Sequence, residues 1–226
     1  MQNLKILFED NHIIVVEKKP NIPSQADKTT DEDMLTIVKR YIKEKYNKTG
    51  NVYLGLVHRL DRPVGGIMIF AKTSKAASRL SDQVREKVFK KKYLAVVDGK
   101  FEQKEGILEN YLYKDERHNT SRVVNKDKKN AKLAKLDYKV IKYNQVKNLS
   151  LVEINLHTGR HHQIRVQLAN FGHSIFGDQK YGTRGQGKQI ALWAYELTIQ
   201  NPITKEKMTF QDLPEPIGTW CILREK

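Results

Sequence analysis

A single cysteine, Cys221, in 226 residues leaves no internal disulfide framework and fits a reducing interior. No stretch reaches the roughly 18 consecutive apolar residues of a membrane span. The opening Met1-Gln2-Asn3-Leu4-Lys5 turns charged too soon for a secretory signal. Repeats, low-complexity blocks and a Pro/Gly/Ser linker are also missing. These absences lead to the expectation of one cytoplasmic domain over residues 1–226, with no membrane partner and a monomer as the default state.

Acidic residues are few. There are 26 Asp and Glu against 41 Lys and Arg, a formal net charge of +15. The excess is clustered: four lysines lie between Lys87 and Lys92, five lie between Lys126 and Lys135, and further cations lie from Lys114 to Arg122. A solvated surface is the bland explanation; a polyanion partner is the sharper one, because backbone phosphates are met by clustered Lys and Arg. Charge alone does not choose among RNA, DNA and an anionic membrane surface.

Apolar patterning places strands at Ile6–Phe8, Ile13–Val16, Val52–Val57, Ile67–Ala71 and Tyr93–Val97, with further strands from Ile107 to Leu156. Val152, Ile154 and Leu156 alternate with Glu153 and Asn155, as in a half-buried strand. A capping-box pattern at Thr30 to Asp33 precedes a helix with Met34, Ile37, Val38, Tyr41 and Ile42 on one face. Ser74 is expected to cap a second helix, with Ala76, Ala77, Leu80, Val84 and Val88 on one face. Thr158-Gly159 is expected to start a third, running to Phe171 and stopping at Gly172. Ile190–Ile199 and Met208–Phe210 complete the strands. Many strands with dispersed helices predict an α+β fold with a mostly antiparallel or mixed sheet.

Three segments could carry chemistry. His58-Arg59-Leu60-Asp61-Arg62-Pro63 follows one apolar run and precedes Gly65-Gly66 and another. An unpaired carboxylate cannot lie deep in a strand core, so Asp61 belongs at a glycine-containing turn, where flanking cations favour its ionised form. The alternative is a structural salt bridge at a strand end. In the second segment, Thr158 to Arg165, helical spacing sets Arg165 between Ile164 and Leu168 on one side and His162 and Ala169 on the other. A buried guanidinium needs an acid, and Asp61 is the natural candidate; otherwise the Arg165 stem covers apolar surface while its head reaches water. His157, His161 and His162 invite zinc, but no Cys or HExxH spacing accompanies them. They and Gln163 hold loops or contact phosphate and sugar. The third segment, Lys90 to Val96, sets Tyr93 beside cations, as a sheet tyrosine or as an aromatic platform for a nucleobase.

Together these segments resemble the RluA-type pseudouridine synthases, which isomerise uridine to pseudouridine in RNA. The resemblance covers almost the whole chain. It runs through Phe8 to Pro20, His58-Arg59-Leu60-Asp61, Lys92-Tyr93-Leu94-Ala95, Thr158 to Arg165, Gly172 to Asp178, and Ile190-Ala191-Leu192-Trp193-Ala194. It implies one mixed, largely antiparallel β-sheet with flanking helices and a central basic cleft. It also implies Asp61 as the catalytic aspartate, Tyr93 beneath the target base, and Arg165 as the partner of Asp61. Leu192 would line the uracil pocket and Arg59 would replace the extracted nucleotide, while Arg62, Arg160, His162 and Gln163 complete the expected substrate-binding set.

The partner implied is ribosomal or transfer RNA, with neither metal nor nucleotide cofactor. Gly65 stands where the family usually has Ser, and Trp193 where His is common. The S4-like N-terminal domain of many relatives is not expected. Two other classes compete. A non-catalytic RNA-binding or ribosome-assembly module would be favoured by loss of Asp61, Tyr93 or Arg165. An RNA glycosidase or metal nuclease would need paired carboxylates or a ligand cluster.

Overall fold

The computed structural model describes residues 4–183, 187 and 189–224. Its strands and helices form two compact units: residues 1–90 with 194–213, and residues 91–193 with 214–226.

The first unit contains β1 (Ile6–Glu9), β2 (Ile13–Lys18), α1 (Met34–Lys45), β3 (Gly55–Leu56), β4 (Gly65–Ala71) and α2 (Ser74–Arg85), with most of β10 (Leu192–Gln200) and all of β11 (Lys207–Gln211). Its strands run in the order β1-β2-β4-β10, with β11 on β10 and β3 on β4. β2 pairs antiparallel with β4 from Ile13↔Ala71 to Lys18↔Gly66. All seven residues of β4 are buried, which explains its continuous apolar run. Ile13, Val15, Ile67, Ile69, Leu80, Leu197 and Ile199 form the core.

The second unit holds most of β5 (Lys90–Asp98), then β6 (Glu105–Asp115), β7 (Thr120–Val124), β8 (Lys132–Asn144), β9 (Leu149–Leu156) and α3 (Gln163–Asn170), ending in a short 3-10 turn at Gly218–Leu223. The order is β5-β9-β8-β6-β7, with antiparallel neighbours throughout. α3 packs through Val166 on Leu112 and Ala134. Three α-helices among the described residues, set on mixed and largely antiparallel strands, are the α+β class expected.

Several local expectations are corrected. The strand expected over Val52–Val57 is only Gly55–Leu56, because the chain beyond it is held by side chains instead of a ladder. Asp33, not a box from Thr30, caps α1 by accepting from the Thr36 N–H. Thr73, not Ser74, caps α2. Val84 is exposed, and Gln83 is buried in its stead. Gln83 bonds both backbone groups of Gln200, donating 2.8 Å to its carbonyl and accepting 2.9 Å from its N–H. α3 begins at Gln163, five residues after Thr158, and ends as expected before Gly172 in the left-handed region. No helix among the described residues is long and apolar enough to cross a membrane.

Candidate active site

In the first unit Asp61 sits half-buried on the loop between β3 and β4, between buried Leu60 and Val64. The loop is fastened at every second residue. At Leu60, the Ser24 hydroxyl donates 2.7 Å to the carbonyl and accepts 3.1 Å from the N–H. At Arg62, the carbonyl accepts from the Asn21 N–H at 2.8 Å and from Lys18 Nζ at 2.9 Å. At Val64, the carbonyl accepts from Lys18 Nζ at 2.7 Å and the N–H closes on the Asp61 carbonyl at 3.0 Å. Glycine is required next to this turn. Gly66 has φ +121°, and a Cβ there would lie 2.3 Å from the Ala194 carbonyl oxygen.

The arginines on either side of Asp61 differ in their surroundings. Arg59 is exposed. Arg62 reaches Asp27, Thr29 and Asp31 on the loop before α1. Lys18, buried beneath the turn, is close enough for the charge of Asp61 to favour its ammonium form. Sequence reading missed Lys18 and Ser24. The first ends an ordinary apolar strand and the second sits in a polar loop, so neither carries a local signal.

In the second unit Arg165 is buried, as its apolar neighbours required. Its Nε and Nη2 donate to Asp178 at 2.8 and 2.6 Å. This two-bond carboxylate geometry is the strongest a guanidinium makes. Asp178 was absent from the expected site, because 13 residues and a turn separate it from Arg165. Its Oδ1 also accepts from the Lys180 N–H at 2.9 Å, fixing that turn. The Arg165 guanidinium lies 5.2 Å from the centre of the Tyr181 ring, a cation–π contact.

Tyr181 links three elements through one hydroxyl. That oxygen accepts from the Ser121 N–H at 2.7 Å, and it lies 2.8 Å from His162 Nδ1. Which of the two groups donates in that second bond follows from the His162 tautomer. Burial, and after it the charge of Arg165, pushes the His162 pKa far below its ordinary 6.5. His162 holds φ +53°, so the turn into α3 is tight. His161 stacks on it and contacts Ser121 Oγ at 2.9 Å. The histidines therefore tie α3 to β7. Among the described residues no group of three or more His, Cys, Asp or Glu could hold a metal.

Gln163 also holds a loop. Its Oε1 accepts from Thr158 Oγ1 at 2.8 Å and from the Arg160 N–H at 3.0 Å, and its Nε2 donates to the Lys135 carbonyl at 3.1 Å. That side chain keeps residues 158–162 out of helix. Arg160 donates through Nε to the Leu133 carbonyl at 2.8 Å. Tyr93 is buried on β5, opposite Ile154 of β9, which faces Tyr138 of β8 in turn. Leu192 is buried at the start of β10.

Residues 12–170 match the family model described as RNA pseudouridylate synthase. The uncharacterized RNA pseudouridine synthase YhcT of Bacillus subtilis is 36% identical over 206 residues, covering 90% of this chain and 66% of that protein. The dual-specificity RNA pseudouridine synthase RluA of Escherichia coli K12 is 32% identical over 214 residues, 92% of each. The solved human RNA pseudouridylate synthase domain containing 1 superposes with a TM-score of 0.77 at 22% identity, covering 95% of this chain and 84% of its own. The fold is thus that of the pseudouridylate synthases. The chain belongs to the RluA-type RNA pseudouridine synthase family, a family of enzymes that isomerise uridine in RNA.

Proposed function

We propose that this protein converts a specific uridine of structured ribosomal or transfer RNA to pseudouridine in the cytoplasm, as a monomer, with Asp61 as the reacting carboxylate. The observation that supports it best is the turn at residues 60–64, held at Leu60, Arg62 and Val64 while Asp61 between them carries the acid. A reacting group fixed by its surroundings does not lose orientation entropy when substrate arrives.

The reaction detaches uracil from ribose, rotates it, and rejoins it through a carbon. It needs no redox change. Cleavage of the glycosidic bond builds positive character at the anomeric carbon, as in glycoside hydrolysis. An ionised Asp61 can stabilise that charge, attack it covalently, or act as a base on the sugar. A base within a duplex or stem-loop must first be flipped, which costs a few kcal/mol. In this reading Tyr93 supports the flipped base, Leu192 lines its pocket, and Arg59 takes the vacated place. Arg165, steadied by Asp178, is the partner of the acid, and Arg160 meets the RNA backbone. The lone Cys221 and the RNA target suit the cytoplasm.

The test uses ribosomal and transfer RNA labelled with tritium at carbon 5 of uracil, since isomerisation releases that label and leaves the RNA mass unchanged. The wild-type protein is expected to release label from one of the two classes, and Asp61→Asn to release none while keeping its melting temperature. Turnover by a folded Asp61→Asn variant rejects the role of Asp61.

A further inference from the structure

α1 ends in a cluster of positive charge around an exposed tyrosine. Between Lys39 and Lys48 the chain carries five cations and one acid, Glu44. Two of the cations, Lys43 and Lys45, lie in the last turn of α1, where they offset the partial negative charge of the helix end. That accounts for neither Lys48, beyond the helix, nor Lys72, after β4. Tyr46 caps the helix, and the Lys48 N–H returns to the Lys43 carbonyl at 3.0 Å. The ammonium groups of Lys72, Lys45 and Lys48 lie 4.9, 5.4 and 6.0 Å from the centre of the Tyr46 ring. Even so, Tyr46 is 47% exposed.

One carboxylate holds that ring in place. Glu9, at the end of β1 with its side chain 6% exposed, accepts from the Tyr46 hydroxyl at 2.9 Å and the Tyr41 hydroxyl at 3.1 Å, and from Lys45 and Lys72 at 2.7 Å each. Four donors use the lone-pair sites that a carboxylate has. Burial alone would raise the Glu9 pKa, but the bonds from Lys45, Lys72 and Tyr46 bring it down to about 2, so Glu9 stays ionised. Its single negative charge is shared by two ammonium groups. Lys43 and Lys48 have no acid partner among the described residues. The cluster therefore keeps a surplus of positive charge beside a fixed, exposed aromatic ring.

We propose that Tyr46 is a stacking platform for an unpaired nucleobase of the bound RNA, with Lys43, Lys45 and Lys48 on the phosphates beside it. A single strand matches this surface, because it carries anionic groups at regular spacing with flat rings between them. Stacking on an aromatic side chain tolerates any base, and lysine meets phosphate as a point charge. A ring already fixed by Glu9 loses little freedom when a base lies on it. The inference rests on RNA as the substrate, and it adds a contact on elements other than the turn of Asp61.

The experiment uses the full chain and an oligoadenylate of about ten nucleotides, a length within one binding site for a single strand, which holds no uridine to react. In Tyr46→Trp the indole is a local reporter, read as the difference from wild-type fluorescence. The oligonucleotide is expected to quench it. Adding Lys43→Gln and Lys48→Gln is expected to flatten the slope of log affinity against log salt by about 1.4, since each phosphate contact with a single strand contributes about 0.7. In tritium release from labelled RNA, Tyr46→Ala is expected to raise KM roughly tenfold, the loss of one stacked base, with kcat unchanged. Tyr46→Phe keeps the ring and loses only the bond to Glu9, so its KM should stay within about twofold of the wild type. Wild-type KM in Tyr46→Ala, or an equal rise in Tyr46→Phe, overturns the proposal. If Tyr46→Ala does not fold, the indole decides: no quenching, or a salt slope that the two lysine replacements leave unchanged, overturns it. Absence of label release by the wild type from every RNA overturns the isomerase reading instead, and the quenching result then stands by itself.

Discussion

Asp178 receives the Arg165 guanidinium through two bonds, from Nε at 2.8 Å and Nη2 at 2.6 Å, with the side chains 0% and 5% exposed. Removing one partner of such a pair leaves the other charge buried without its counterion. That typically costs about 3–5 kcal/mol. Asp178→Asn is nearly isosteric and keeps an acceptor for the Lys180 N–H, but it removes the charge and one of the two oxygens that accept from Arg165. Urea unfolding should show a loss in that range, and tritium release should fall with it. An Asp178→Asn protein as stable as the wild type would mean that the pair is not what holds Arg165.

His162 and Tyr181 make acid pH a second probe. The folded ring stays neutral well below 6.5, whereas the unfolded one takes a proton near 6.5. The unfolded state therefore binds more protons below that value, and the His162 contribution to stability is lost as pH falls, by at most about 1.4 kcal/mol per pH unit. Ring NMR should find His162 uncharged at pH 5, and unfolding at pH 5 should need less urea than at pH 7. Tyr181→Phe removes the hydroxyl shared by Ser121 and His162 while keeping the ring near Arg165. It should destabilise by about 1–3 kcal/mol. A charged His162 at pH 5 in the wild type contradicts this account.

Gly66 follows the acid-bearing turn at φ +121°, against the backbone of Ala194. An alanine there would meet the Ala194 oxygen at 2.3 Å and its nitrogen at 2.6 Å, and backbone atoms cannot swing away as a side chain would. Gly66→Ala should cost at least about 2 kcal/mol through strain alone. Because Gly66 is the second residue of β4, directly after the acid-bearing turn, kcat should fall more than the melting temperature implies. Unchanged turnover would show that the start of β4 does not set the position of Asp61.

Much of the fold was legible because periodicity is a local signal. The buried face of α1 at Met34, Ile37, Val38 and Ile42 follows from spacing, and so does the alternation at Val152, Glu153 and Ile154 in β9. Boundaries were less legible wherever one side chain decides them, as Asp33 does for α1 and Gln163 does for α3. For the candidate site, the exposure of polar residues at a turn marked Asp61, and apolar neighbours marked Arg165 as buried. Partners were not readable. Lys18 meets Arg62 and Val64 across 44 and 46 residues, and Asp178 meets Arg165 beyond the end of the helix. Only the folded chain brings such groups together, and no local pattern announces them.

The lysine-rich turn after β7 gives the test of RNA contact. Lys126, Lys128, Lys129 and Lys132 are exposed, and Lys128 and Arg122 each lie 5.5 Å from the centre of the Tyr113 ring. Exposed lysines in this density gain little from one another, since like charges repel, but each phosphate they meet releases condensed counterions. Binding of target RNA should therefore weaken steeply with salt, by at least about tenfold between 50 and 200 mM, with each contact adding about 0.7–0.9 to the slope of log affinity against log salt. Replacing Lys128, Lys129 and Lys132 together by Gln should flatten that slope by about 2–3 and leave the melting temperature unchanged. If the triple variant keeps the wild-type slope, the lysines of this turn do not meet RNA and are solvated surface.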